Sequence, residues 1–417
     1  MKATIHRGTN EIGGSCVEVV SGTSRILIDA GRPLTGESGS LPPGTKTLDA
    51  VFISHPHCDH FGLIDQLPPE VPLYIGRLAQ KLIQATRLFL GQKLFKNSFF
   101  NFESWQSIEI GSNLRVKPYP VDHSAAGAYG FSIEADGKSL FYSGDFRAHG
   151  RKQKLFEHIL ERPPQNVDVM LMEGTMLDRV DSKFPDEESV ENKIVEILEN
   201  EDGPCFLLSS SQNIDRIVSA YRAAKRTRRI FVVDIYTACI LRELAQFSKH
   251  TPRIDWNDIR VLSRGWTARN HYLKVKENPE VFEGFIYELY KKDNVITHDE
   301  LANEQNRYFI KNNYVGGLIK ELDCKHASVI YSMWNGLLTK EHNPGGCRRL
   351  QALKDNKNIN FVYAHTGGHA VLADLKRFAD AINPKVIVPI HTKHKDKYQE
   401  YFDQEIKVVE DGGPFFV

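Results

Sequence analysis

Cysteine is sparse in this 417-residue chain: there are six, Cys16, Cys58, Cys205, Cys239, Cys324 and Cys347, and none forms a CxxC pair. That spacing excludes a zinc ribbon, a dithiol redox motif and a disulfide scaffold, and it points to a reducing compartment. Net charge is missing too, since 53 basic side chains balance 53 acidic ones. No global field attracts nucleic acid or an anionic membrane, so any such attraction has to be local. No apolar run approaches the roughly 20 residues that cross a bilayer, and no apolar signal segment opens the chain. A cytoplasmic protein without membrane contact is expected. Internal repeats, low-complexity tracts and a GxGxxG fingerprint are also absent. At this length two domains are expected rather than one core.

What stands out instead is histidine in one stretch, Ser54-His55-Pro56-His57-Cys58-Asp59-His60-Phe61-Gly62. Ala50 to Ile53 reads as a short buried strand, and Gly62 to Leu67 as the opening of a helix, so the ligands fall on a strand-to-helix loop. In an extended segment His55 and His57 project to one side, while Asp59 and His60 diverge at the turn, so one loop can serve two metals. Imidazole nitrogens with a carboxylate suit zinc, with manganese or iron as alternatives.

The same habit, a strand ending in a candidate ligand, recurs along the chain. Asp29 ends Ile26 to Asp29, His123 follows Leu114 to Val116, Asp145 follows Leu140 to Tyr142, Glu173 closes Asp168 to Glu173, and His391 follows Val386 to Val388. Near Pro185 the texture changes to alternating helices and strands, the mark of a parallel sheet. The expected organisation is therefore a first domain over residues 1–184, an inserted α/β domain over 185–345, and a return to the first domain over 346–417. A sandwich with outer helices, its loops converging on one edge, gathers all six strand ends. A two-metal centre fits them: His55, His57 and His123 on one ion, Asp59, His60 and His391 on the other, Asp145 bridging and Asp29 close by. Two ions about 3.5–4 Å apart lower the pKa of a shared water and favour hydrolysis.

These residues resemble the metallo-β-lactamase superfamily, whose HxHxDH motif stands here as His55-Pro56-His57-Cys58-Asp59-His60. More narrowly the chain is similar to the β-CASP nucleases, especially the ribonuclease J group. The insertion after Glu173, Gly368-His369-Ala370, and Pro389-Ile390-His391 after the insertion carry that similarity. The resemblance implies an αββα sandwich interrupted by a β-CASP domain, two zinc ions, and hydrolysis of RNA phosphodiesters by a metal-activated hydroxide, endo or 5′ exo. It implies that Asp59 orients the attacking water, that Glu173 supports the site, and that His369 contacts the scissile phosphate. A single-stranded RNA substrate is expected, and a homodimer is its expected assembly. A hydrolase of DNA or of a small phosphodiester or ester, and a non-catalytic RNA-binding scaffold, are the competing readings.

Departures from the group sharpen these expectations. Glu173-Gly174-Thr175 stands where ribonuclease J proteins have Glu-Ser-Thr, Gly367 replaces a serine, and Thr392-Lys393 follows the last metal histidine. The stop at Val417 reads as a short form without the extra C-terminal domain. Ser210 and Ser211 match hydroxyls that cradle the RNA 5′ phosphate in that group, and Lys393 is the local cation expected on substrate phosphate. A second basic run, Arg222, Lys225, Arg226, Arg228 and Arg229, reads first as a solvated face. The phenylalanines from Phe89 to Phe102 are expected to pack rather than to stack on bases.

Overall fold

In a computed structural model the described residues are all but 35–38, 179–182, 264 and 292–293, together with the side chains of residues 266 and 267. The chain divides into two compact units: Met1–Gln80, Phe95–Val180 and Gly368–Val417 form the first, Lys81–Leu94 and Asp181–Gly367 the second. No helix among the described residues is long and apolar enough to cross a membrane.

The first unit is a sandwich of two seven-stranded sheets. One runs Pro414–Phe416, Lys2–Arg7, Cys16–Ser21, Ser24–Ile28, Ala50–Ile53, Leu73–Gly76, Phe99–Phe102. The other runs Glu405–Ile406, Val386–Ile390, Val169–Glu173, Lys138–Tyr142, Tyr129–Ala135, Leu114–Pro120, Ile108–Ile110. Alternate residues of both sheets point inward, so Ile5, Val17, Phe52, Phe131, Leu140, Leu171 and Val388 form one buried core. The outer face of the second sheet is covered by helices Gln153–Glu161 and Leu372–Ile382, with Phe146 stacked on Phe378 at 4.1 Å between ring centroids. Asp136 and Gly137, both at positive φ (55° and 70°), close the hairpin between Tyr129–Ala135 and Lys138–Tyr142.

Strand Leu114–Pro120 runs on through Pro118 and Pro120, beyond the Val116 at which its sequence pattern breaks. Strand Ile108–Ile110 pairs only as far as Val116, so past it the missing proline N–H groups leave no ladder bond unmade on that edge. The helical turn after the histidine loop also differs from the expectation. It begins earlier, at Cys58–Phe61, and Ile64–Gln66 is a 3-10 turn.

The second unit holds a parallel seven-stranded sheet: Val295–Ile296, Ile259–Leu262, Ile230–Asp234, Tyr308–Lys311, Cys205–Leu208, Ala327–Tyr331, Ile359–Tyr363. Its strand Tyr308–Lys311 lies centrally although its sequence neighbourhood is charged and helical. Lys311 is fully buried there, with Nζ on Ser211 Oγ and 3.1 Å from Asp234 Oδ2. Arg216 is likewise fully buried, paired with Glu187 through Nη2 at 3.1 Å and bonded to Ser332. Phe89 packs on Tyr236 and Phe282 in this unit, while in the first unit Phe95 meets Phe61 and Phe102 meets Phe131.

Candidate metal centre

Parallel strands place their C-terminal ends at one edge of a sheet. Strands Ser24–Ile28, Ala50–Ile53, Lys138–Tyr142, Val169–Glu173 and Val386–Ile390 do so in the first unit, and Asp29, His55, Asp145, Glu173 and His391 stand at their ends. The loop carrying Asp59 is held down by close backbone approach: a Cβ at Gly31 would lie 1.8 Å from the Asp59 carbonyl oxygen.

Three groups of side-chain donor atoms, each within 4.8 Å of one another, result: His55, His57 and His123 in the first, Asp59, His60, Asp145 and His391 in the second, and Glu173, His369 and His391 in a third that overlaps the second; the first two are the sets expected to hold metal. His57 Nδ1 is 3.1 Å from both His55 Nε2 and His123 Nε2. Asp145 Oδ2 lies 3.1 Å from His60 Nε2, 3.7 Å from His391 Nε2 and 3.7 Å from His55 Nε2. One carboxylate oxygen therefore faces both sets.

Hydrogen bonds behind the rings fix which nitrogen carries the proton. His123 Nδ1 is 2.6 Å from the Gly368 carbonyl, which only accepts, so Nδ1–H donates and Nε2 keeps its lone pair. Asp29 accepts from Ser54 N, Ser54 Oγ, His60 Nδ1 and Tyr142 Oη at 2.7–2.8 Å. That leaves the fully buried His60 Nε2 to face Asp145 Oδ2 at 3.1 Å; burial opposes charge on the ring, but Asp145, Asp29 and Asp59 outweigh it and raise it well above its ordinary value. Because the Ser54 hydroxyl proton goes to Asp29, its oxygen accepts from His55 Nδ1 at 3.0 Å. Thr175 Oγ1 lies 2.8 Å from His391 Nδ1 and 3.2 Å from the His391 carbonyl, so it donates to the carbonyl and accepts from the ring. Ring nitrogens and carboxylate oxygens thus point at one another. Such convergence fits divalent cations, which would take the place of the positive charge that the carboxylates now draw onto His60.

Titration follows the same logic. Burial lowers His57 to about 4 and takes His55 and His123 well below their ordinary value. Burial also opposes ionisation of Asp59, yet His60 and His391 overcome it and hold the carboxyl at about 2. At His369, burial opposes the charge but Glu173 and Asp145 outweigh it and raise the ring to about 9. His369 Nδ1 sits 3.1 and 3.2 Å from the two oxygens of Glu173, which are themselves fixed by the N–H groups of Phe146 and Thr175.

All nine residues expected at the centre, with Asp29 behind them, therefore gather in the first unit. Thr175, Ser54, Tyr142 and the Gly368 carbonyl were not read from the sequence, for hydroxyls and carbonyls carry no spacing signal. The Gly174 departure has a steric cause: a Cβ there would come within 2.1 Å of Tyr398 Oη, whose buried ring occupies the space a serine would need. Lys393 is exposed beside His391, whereas Lys395 and Lys397 bond Glu410 and Asp178 at 2.7 and 2.6 Å. Ser210 and Ser211 belong to the second unit. Ser210 is exposed, while the buried Ser211 hydroxyl is engaged by Lys311 and by Thr237 at 2.9 Å.

Comparison with known proteins agrees with this geometry. Residues 24–193 match the family described as Beta-lactamase superfamily domain. The chain is 27% identical over 293 residues, 66% of either protein, to the "RNase J-like protein" of Methanocaldococcus jannaschii. It is 23% identical to "Ribonuclease J" of Mycoplasma genitalium, over 93% of this chain and 67% of that protein, and 23% identical to "Ribonuclease J" of Helicobacter pylori, over all of this chain and 61% of that protein. The chain thus spans about two thirds of the length of these relatives. A crystal structure of a protein of unknown function from Enterococcus faecalis V583 shares the fold, with a TM-score of 0.76, 22% identity and 99% of both chains covered. By these matches the chain is similar to the ribonuclease J proteins and carries the mark of a Beta-lactamase superfamily domain.

Proposed function

We propose that this protein is a ribonuclease that hydrolyses single-stranded RNA with two zinc ions, or manganese in their place. The observation that supports this most is the pair of histidine and carboxylate donor sets that both face Asp145, beside a His369 held positive. His55, His57 and His123 would hold one ion, and Asp59, His60, Asp145 and His391 the other. Bound there, divalent cations lower the pKa of water and neutralise charge on a reacting phosphoryl group.

The chain's own groups supply the rest. The Asp59 side chain is 13% exposed while His60 and His391 beside it are sealed, so its carboxylate can orient a water and take up its proton. Glu173 holds one N–H of His369, leaving the second for a phosphate oxygen or for the departing oxygen. Lys393, exposed and in no ion pair among the described residues, with Glu11 as a more distant carboxylate, is placed to meet a neighbouring phosphate. Ser210 offers an exposed hydroxyl to the RNA, and Ser211 acts by fixing the loop that carries it. Action in the cytoplasm is part of this reading. The relatives named for ribonuclease J supply the reaction class.

The test is cleavage of end-labelled single-stranded RNA and the matching DNA by protein stripped with chelator and then reloaded with zinc or manganese. RNA cleavage lost on stripping and restored on reloading is the expected result. Cleavage of DNA alone would replace the substrate, and no cleavage of either polymer would reject the nuclease reading.

A further inference from the structure

We propose that the second unit carries an accessory groove for single-stranded RNA, built on Trp256, Arg228, Lys225 and Lys291. This rests on the reading of RNA as substrate, but none of these residues belongs to the metal centre.

The basic run Arg222 to Arg229 is not one solvated face. Arg222 and Arg226 turn to Glu191, at 3.2 and 3.1 Å. Arg229 is buried, with its guanidinium on the carbonyls of Leu198, Gly203 and Glu201. Lys225 and Arg228 remain exposed, and they line a cleft of about 640 Å³ with Tyr221 and Trp256. The two aromatic rings lie 5.2 Å apart at 49°. A second cavity of about 350 Å³ has the wall residue Asp255 in common with the first, and it brings in Arg253 and Lys291, the latter 5.6 Å above the Tyr287 ring.

Acidic groups along this path are already compensated. Asp255 pairs with Arg253 at 3.1 Å, Glu288 with Arg242 at 2.9 Å, and Asp258 accepts from the Tyr221 hydroxyl at 2.9 Å with Lys225 Nζ at 4.0 Å. Among the described residues no carboxylate lies within ion-pair distance of Arg228 or Lys291. The groove therefore keeps positive charge that its own walls do not cancel. Arg228 also sits at φ 59° just past the helix Ile214–Arg226, a position at which glycine or asparagine would be unstrained. An arginine is held there with its charge uncancelled.

Cations interleaved with ring faces on either side of Asp255, in two cavities that share that wall residue, match a flexible polyanion with stackable bases better than a single nucleotide. Phosphates would meet Lys225, Arg228 and Lys291, and a base would stack on Trp256.

The test uses the full chain carrying Asp59→Ala to block cleavage, and reads anisotropy of a labelled single-stranded oligoribonucleotide over a salt series. Arg228→Asn removes the charge but keeps a residue suited to positive φ. It is expected to weaken binding about five- to tenfold and to flatten the salt dependence by roughly one phosphate contact. Trp256→Leu is expected to weaken it at least about fivefold, consistent with loss of one stacked base. Arg222→Asn, which deletes equal charge on the Glu191 side, should stay within about twofold. Should Trp256→Leu lower the melting temperature, Lys291→Gln takes its place beside Arg228→Asn. Equal loss in Arg222→Asn and Arg228→Asn, or no loss in either while the parent binds, overturns the groove alone. A parent protein that binds no RNA overturns the ribonuclease reading with it.

Discussion

One hydroxyl, that of Thr175, lies 2.8 Å from His391 Nδ1 and 3.2 Å from the carbonyl of the same histidine. His391 has φ 54°, a left-handed backbone that a histidine rarely adopts, so Thr175 steadies both the ring tautomer and the turn that aims Nε2 at Asp59 and Asp145. Thr175→Val keeps the shape and removes the hydroxyl. We expect zinc affinity, read by competition with a chromophoric chelator, to fall about 10- to 100-fold, with Thr175→Ser restoring most of it. Unchanged affinity in a folded Val variant would mean that the hydroxyl does not orient the ligand.

Asp29 offers the opposite kind of support, an acceptor surrounded by four donors. Asp29→Asn sets an amide N–H against at least one of them. The expected cost is about 1–3 kcal/mol in the urea midpoint of metal-free protein, accompanied by weaker zinc binding because His60 loses its fixed tautomer. A variant as stable and as zinc-avid as wild type would remove Asp29 from the account.

Glu18 makes stability depend on acid. It contacts His6 at 2.7 Å and Arg25 at 2.9 Å, and these partners, His6 foremost, hold its carboxyl at about 2 against burial. A carboxyl whose folded pKa is depressed stabilises the fold above its ordinary value, about 4.5, and loses that contribution as pH falls toward 2. Glu18→Gln should therefore be less stable than wild type at pH 7, with the gap narrowing from about pH 4.5 down toward pH 2 in denaturant titrations. A gap that is constant with pH would contradict the assignment.

The residues of the two candidate donor sets were legible because metal-binding chemistry would impose residue types at strand ends, and HxHxDH leaves few alternatives for His55, His57, Asp59 and His60. His123, Asp145 and His391 became legible only as a set, each having a bland reading alone. The proton-fixing partners were not legible: Thr175, Ser54 and Tyr142 are ordinary residues whose role exists only in three dimensions. In the second unit, Tyr308–Lys311 escaped because four residues ending in lysine do not look like a central strand. Asp234 and Ser211, far away in sequence, are what make burial of Lys311 tolerable. Lys81–Leu94 groups with the second unit for a similar reason: Thr86 bonds Tyr236 at 2.8 Å and Lys81 bonds Glu243 at 2.8 Å, contacts that no local pattern announces.

The most direct measurement is cleavage of end-labelled single-stranded RNA by zinc-loaded wild type, Asp59→Ala and His369→Ala proteins, with bound zinc counted in each. The account predicts cleavage by wild type, its abolition with reduced zinc in Asp59→Ala, and a loss of about 10²–10⁴-fold with undiminished zinc in His369→Ala. Wild-type activity that survives in Asp59→Ala, or a His369→Ala protein as active as wild type, would contradict it.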